Sequence, residues 1–246
     1  MDDEKELAAR LRATGMRFVI HNYFPPTDAE LVLNLASPSE EIRSRSASFA
    51  SRTLDLAGEI GAGTYSVHAG FATDPIGYED GHFVFGSGGD VQSARDRFAD
   101  SIATLAERAR TVGVELLVEN NVCIGEHRGR LLFLTGAEIA SFLEPLRDLG
   151  VRLLLDTGHL NVTSRTLGFD RDEFVDDVED FVGAVHVHDN DGTSDGHMPV
   201  VEDSWIAALL RRPSLSRLPR VVEARVGSAG EAKDQVDFLE RLARDD

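Results

Sequence analysis

The chain has 246 residues, 43 acidic against 25 basic, and a formal net charge of -18. That length suits one large α/β domain over residues 1–246, and so acidic a surface repels phosphate backbones and anionic lipid headgroups, which argues against nucleic acid or a membrane as partner. The single cysteine, Cys123, excludes an internal disulfide and a cysteine-built zinc site, and the start "MDDEKELAAR" lacks the apolar core of a signal peptide, so the expected location is the cytoplasm.

In chain order, short β-rich apolar runs alternate with longer stretches of helical period. The expected strands are "RFVIHNY" (17–23), "TYSVHAG" (64–70), "VELLVEN" (114–120), "VRLLLDT" (151–157), "GAVHVHD" (183–189) and "RVVEARV" (220–226). Between the second and third, "FGSGGD" (85–90) reads as a flexible loop, because its glycines lack the spacing of a nucleotide fingerprint. The stretch 93–113 places Phe98, Ile102, Leu105 and Ala109 at helical spacing, and Gly113 and Gly150, each directly before a strand, suit left-handed helix caps. Repeated βα units imply a parallel sheet buried on both faces.

Every expected strand carries an ionisable residue in its C-terminal half: His21, His68, Glu119, Asp156, His186 with His188, and Glu223. Polar groups on every strand end converge on the mouth of a closed barrel, whereas a doubly wound sheet would gather them at one switch point; a TIM-barrel-like (β/α) fold is therefore expected. Glu119, Asp156, His186 and Glu223 together make a hard, oxygen-rich site suited to manganese, magnesium, cobalt or zinc. In "DTGH", Asp156 would ligate at the strand end with His159 one turn further into the loop, free to bind substrate, hold a second metal or cap the next segment. His82 and His127 lie in expected loops and read as solvated, and Asp189 and Asn190 as shapers of a turn.

Taken in order, "HNYFPP", "YSVHAGF", "LLVENN", "LLLDTGHLNV", "VHVHDNDG" and "VVEA" resemble the xylose isomerase-like barrel superfamily, which includes sugar isomerases and epimerases and the abasic-site endonucleases typified by endonuclease IV. The resemblance implies metal ligands at Glu119, Asp156, His186 and Glu223. The endonuclease branch adds matches at His21, His68, His159, Asp195 and His197, which would build two or three metal ions for phosphodiester hydrolysis. It also aligns "RFVIHNY" with the third of eight strands, so that the first two βα units have no counterpart. The open edge is then expected to be covered by the N-terminal helix or by a second copy in a homo-oligomer.

The acidic loops "GYEDGH", "DNDGTSDG" and "VVEDSW" favour a small polyhydroxylated substrate over DNA. The expected activity is metal-dependent isomerisation or epimerisation of a sugar or sugar phosphate, by proton or hydride transfer beside a carbonyl. Glu119 and Glu223 would exchange the proton, with His159, His188, His68, His21 and Arg225 binding substrate and Arg165 a further phosphate anchor. The rival readings are a zinc phosphoesterase and a non-catalytic barrel fragment.

Overall fold

The structure, a computed structural model, describes residues 2–26, 31–79 and 82–243. Its contacts gather into two compact units, one of Met1–Val118, Gly129–Leu132 and Glu144–Arg152, the other of Glu119–Arg128, Phe133–Leu143 and Leu153–Asp246.

In the first unit the order is α1 (Asp2–Ala13), β1 (Val19–His21), α2 (Glu40–Ile60), β2 (Thr64–His68), β3 (Pro75–Glu79), β4 (His82–Phe85), α3 (Val91–Val112) and β5 (Glu115–Glu119), whose last residue belongs to the second unit. β1 and β2 run parallel with Val19 opposite Thr64, and β5 follows β2 in the strand order. The helices start where the sequence supplies an oxygen for their unpaired N–H groups: Ser39 accepts from the amide of Ile42, and Asp90 from those of Gln92 and Ser93. Thus "FGSGGD" closes as the N-cap of α3. At the other end Gly113 takes φ 74° as the left-handed cap, where a side chain would be strained. Phe98, Ile102, Leu105 and Ala109 are all buried, as their spacing requires, and so are Phe49, Leu54 and Tyr65. α1 packs on α2, where Arg12 donates to the carbonyl oxygen of Glu59.

The antiparallel pair β3–β4 was not expected. A proline and a glycine inside β3 hide its period-two pattern, and aromatic contacts hold it: Phe71 meets Phe83 and Phe85 edge-on, and Tyr78 meets Phe83. His82, read as solvated, begins β4 and is half-buried.

The second unit contains α4 (Gly136–Leu143), β6 (Arg152–Asp156, its first residue in the first unit), α5 (Thr157–Leu167), α6 (Arg171–Val178), β7 (Val182–Val187), α7 (Trp205–Leu209), β8 (Arg220–Val222) and α8 (Ala229–Leu242). β6, β7 and β8 are neighbours in that order and parallel. β7 is buried at all six positions, as a central parallel strand should be. β8 is shorter than its apolar run: after Val222 the backbone continues the ladder once, Glu223 N–H to the Val187 carbonyl, and then Arg225 N–H turns to the carbonyl of His197. His127, also read as solvated, is 6 % exposed within a short 3-10 turn. No helix among the described residues is long and apolar enough to cross a membrane.

Phe98 is fully enclosed, so Phe98→Ala should cost about 3–5 kcal/mol of unfolding free energy by urea titration; a change below about 1 kcal/mol would contradict this placement of the core.

Candidate metal centre

Four donors of the second unit meet at strand ends. Asp156 and His186 stand opposite one another in the parallel register of β6 and β7, so their side chains leave the sheet together. Glu119 ends β5, and Glu223 follows β8 by one residue. His186 Nδ1 lies 2.8 Å from Glu119 Oε1, 3.0 Å from Glu223 Oε1 and 3.8 Å from Asp156 Oδ2. A cation about 2.1 Å from each ligand atom separates its donors by amounts of this order. The donor set of three carboxylate oxygens and one imidazole nitrogen therefore fits a divalent ion in both spacing and chemistry.

Electrostatics agrees with that fit. Burial would lower the basicity of His186, but hydrogen bonding to Glu119 and Glu223 overrides it and pushes its pKa up to about 10. Burial would likewise raise the Asp156 carboxyl, yet His159, His188 and His186 hold it far below the usual range. Positive charge is what this cluster of acids lacks.

A second group adjoins it. Asp156 caps α5, accepting from the His159 amide at 2.7 Å, so His159 sits in the first turn of that helix and not in a loop. His159 Nδ1 donates to the Asn120 carbonyl at 2.8 Å, and His197 Nδ1 to the Glu223 carbonyl at 3.1 Å. Both rings thereby turn Nε2 toward Asp195 Oδ2, at 3.5 and 3.1 Å. His197 takes φ 49° to do so. Asp195 is held well below its ordinary range because His159 and His197 outweigh the effect of its burial.

The remaining sequence candidates divide. His21 and His68 belong to the first unit, where their Nε2 atoms lie 3.1 Å apart and His21 Nδ1 meets Ser66 Oγ. His188, expected to orient substrate hydroxyls, is fully enclosed and touches Asp156 and Asp195 instead. Arg165 donates to the carbonyl of Asp191, which makes it a loop brace and not a free anion anchor. Arg225 is exposed.

Two asparagines, Asn120 and Asn161, were missed, and Asn190 does more than expected. The Asn120 side chain pairs with both the N–H and the carbonyl of Asp156, at 2.8 and 3.1 Å. Asn190 donates to the Gly158 carbonyl, and Asn161 donates to Asn190 while accepting from Arg171. Asn190 thus ties the Asp195 loop to α5, which is more than shaping a turn. The signal for Asn120 was present in "VENN", an amide buried next to a strand-end acid.

Residues 1–242 match the family described as xylose isomerase-like TIM barrel. The chain belongs to that family. No curated protein matches the sequence. Among solved structures it is similar to a D-tagatose 3-epimerase-like protein, at 18% identity over 99% of this chain and 84% of that one, TM-score 0.74. It is also similar to a protein from Thermus thermophilus soaked with ZnCl2, at 23% identity over 98% and 84%, TM-score 0.67. A third is 3-keto-D-glucoside 4-epimerase from E. coli, at 16% over 98% and 85%, TM-score 0.66. At these identities the likeness is one of fold.

The His186 proton makes the metal-free chain sensitive to alkali. Its folded pKa of about 10 lies above the ordinary 6.5, so the stabilisation is complete below 6.5 and lost as pH rises through about 10. Melting temperatures in chelator should fall across that window, and a melting temperature unchanged between pH 6.5 and about 10 would contradict the placement of His186 between the two glutamates.

Proposed function

We propose that this chain is a divalent-metal-dependent sugar isomerase or epimerase. The observation that carries the reading is the grouping of two glutamates, Glu119 and Glu223, on separate strand ends around one cation-sized set of donors with Asp156 and His186. Its similarity in fold to proteins named as sugar epimerases supports the same class.

When bound, the cation supplies Lewis-acid polarisation of adjacent carbonyl and hydroxyl oxygens, through manganese, magnesium, cobalt or zinc. Asp156, anchored by the His159 amide and His188, serves as a fixed ligand. Glu119 is almost fully buried and Glu223 a quarter exposed. One takes the proton from the carbon beside the carbonyl. The other returns a proton to the opposite face in an epimerisation; in an isomerisation the proton goes to the neighbouring carbon while the hydroxyl proton passes to the former carbonyl oxygen. His159 and Arg225 are the candidates for holding substrate hydroxyls, and the acidity of the chain favours an uncharged sugar over nucleic acid.

A second reading, phosphoester hydrolysis with more than one cation, is favoured by the His159–Asp195–His197 group. Metal-bound imidazoles commonly donate their other nitrogen to a carbonyl, as His159 and His197 do here. Metal content of chain purified without chelator separates the readings. One ion per chain, with exchange of a substrate C–H proton into D2O across a panel of ketoses, supports the epimerase; two or three ions with phosphodiester cleavage replace it.

Glu223→Gln should lower turnover of the identified sugar by about 10²–10⁴-fold while the far-ultraviolet circular dichroism spectrum stays unchanged. Full activity in this variant would remove Glu223 from proton exchange.

A further inference from the structure

We infer that His188 is a positioning residue that locks the Asp156 carboxylate in its ligating orientation, an inference that rests on the cation site proposed above. His188 follows β7 directly and shares a strand face with His186, two residues earlier, so one strand end delivers both rings to the same side. Their surroundings differ. His188 has no exposed surface, which removes it from contact with a substrate. Its Nε2 lies 3.1 Å from each oxygen of Asp156, astride the carboxylate, and 3.7 Å from Asp195 Oδ1. Facing only acceptors, Nε2 must carry the hydrogen.

Every other freedom of the ring is taken up by its neighbours. The backbone N–H of His188 donates to Thr157 Oγ1, and the Thr157 hydroxyl donates to the carbonyl of His188 at 2.8 Å. One ring face stacks on His197, with centroids 4.1 Å apart and planes 19° from parallel. The ring edge lies over the backbone of Gly158, where a Cβ would come within 1.9 Å of His188 Cε1. Glycine there is what admits the imidazole.

The buried Nδ1 has no hydrogen-bond partner among the described residues. A residue present only to fill space would not carry that penalty, so the interaction at Nε2 is what accounts for a histidine. Asp156 Oδ1 also accepts the His159 amide, so between these two donors the carboxylate is held against rotation. Its Oδ2 remains on the side of His186 Nδ1, 3.8 Å away. His188 thus acts through Asp156, and through Asp195 it touches the second group as well.

The test is Mn2+ titration calorimetry, with thermal melting of the metal-free chain, on wild type, His188→Phe and His188→Gln. Phenylalanine keeps the ring and its stacking but has no donor; glutamine can place an amide N–H near Nε2. Loss of an outer partner of this kind weakens metal binding by about 10–100-fold. Expected is a loss of that size in His188→Phe, with His188→Gln recovering most of the affinity at a similar metal-free melting temperature. Wild-type affinity in His188→Phe overturns the inference and leaves the cation site standing. So does a glutamine variant that regains stability without regaining affinity. Wild-type protein that takes up no Mn2+ removes the site, and this inference with it.

Discussion

Three carboxylates converging on one buried point repel one another, and that repulsion sets the terms for the second unit. Glu119 and Asp156 are almost without solvent contact, so water cannot screen them, and Glu223 completes the set. The surroundings respond with donors. His186 bridges Glu119 and Glu223, while Asp156 takes the amide of His159 and the ring of His188. A divalent ion at this point would answer the same excess of charge with a single atom, and the raised basicity of His186 and the lowered one of Asp156 run in the direction that excess requires.

The βα alternation and the site could be read from the chain for one reason. Strands of a buried parallel sheet are apolar, so an acid or histidine at a strand end stands out against its background. All six expected strands form, and Glu119, Asp156, His186 and Glu223 do come together. What failed was whatever depends on partners distant in sequence. The β3–β4 hairpin is held by aromatic contacts from Phe71 that no local pattern encodes. His127 is buried although it lies in a short turn that its local sequence marks as exposed. His188 carries the same two-residue spacing from His186 whether it faces substrate or packs behind Asp156. Its enclosure over Gly158 and its contact with Asp156, both set by segments distant in sequence, tell the two apart.

The asparagines illustrate a related limit. Asn120 imitates a strand by offering its amide to the peptide of Asp156, and Asn161 and Asn190 bind the loop bearing Asp195 and His197 to α5. Arg171 extends that brace outward, donating to Asn161 while its guanidinium lies 4.2 Å from the centre of the Trp205 ring. In composition these residues look like ordinary loop formers. Asn120 and Asn190 owe their role to burial, where an amide must satisfy both its donor and its acceptor and so becomes a rigid connector; the half-buried Asn161 does the same through Asn190 and Arg171.

The close fit of His188 over Gly158 has a consequence for ancestry. The two positions constrain each other unequally: a side chain at 158 leaves no room for the ring, whereas a smaller residue at 188 leaves a hole over a bare stretch of backbone. Lineages that carry an imidazole here should carry glycine at the paired position. Those that lost the imidazole are released to fill the gap from either direction. The order of substitution is thereby constrained as well, since the ring must leave before a methyl group can enter, and homologous chains can be sorted by which of the two steps they have taken.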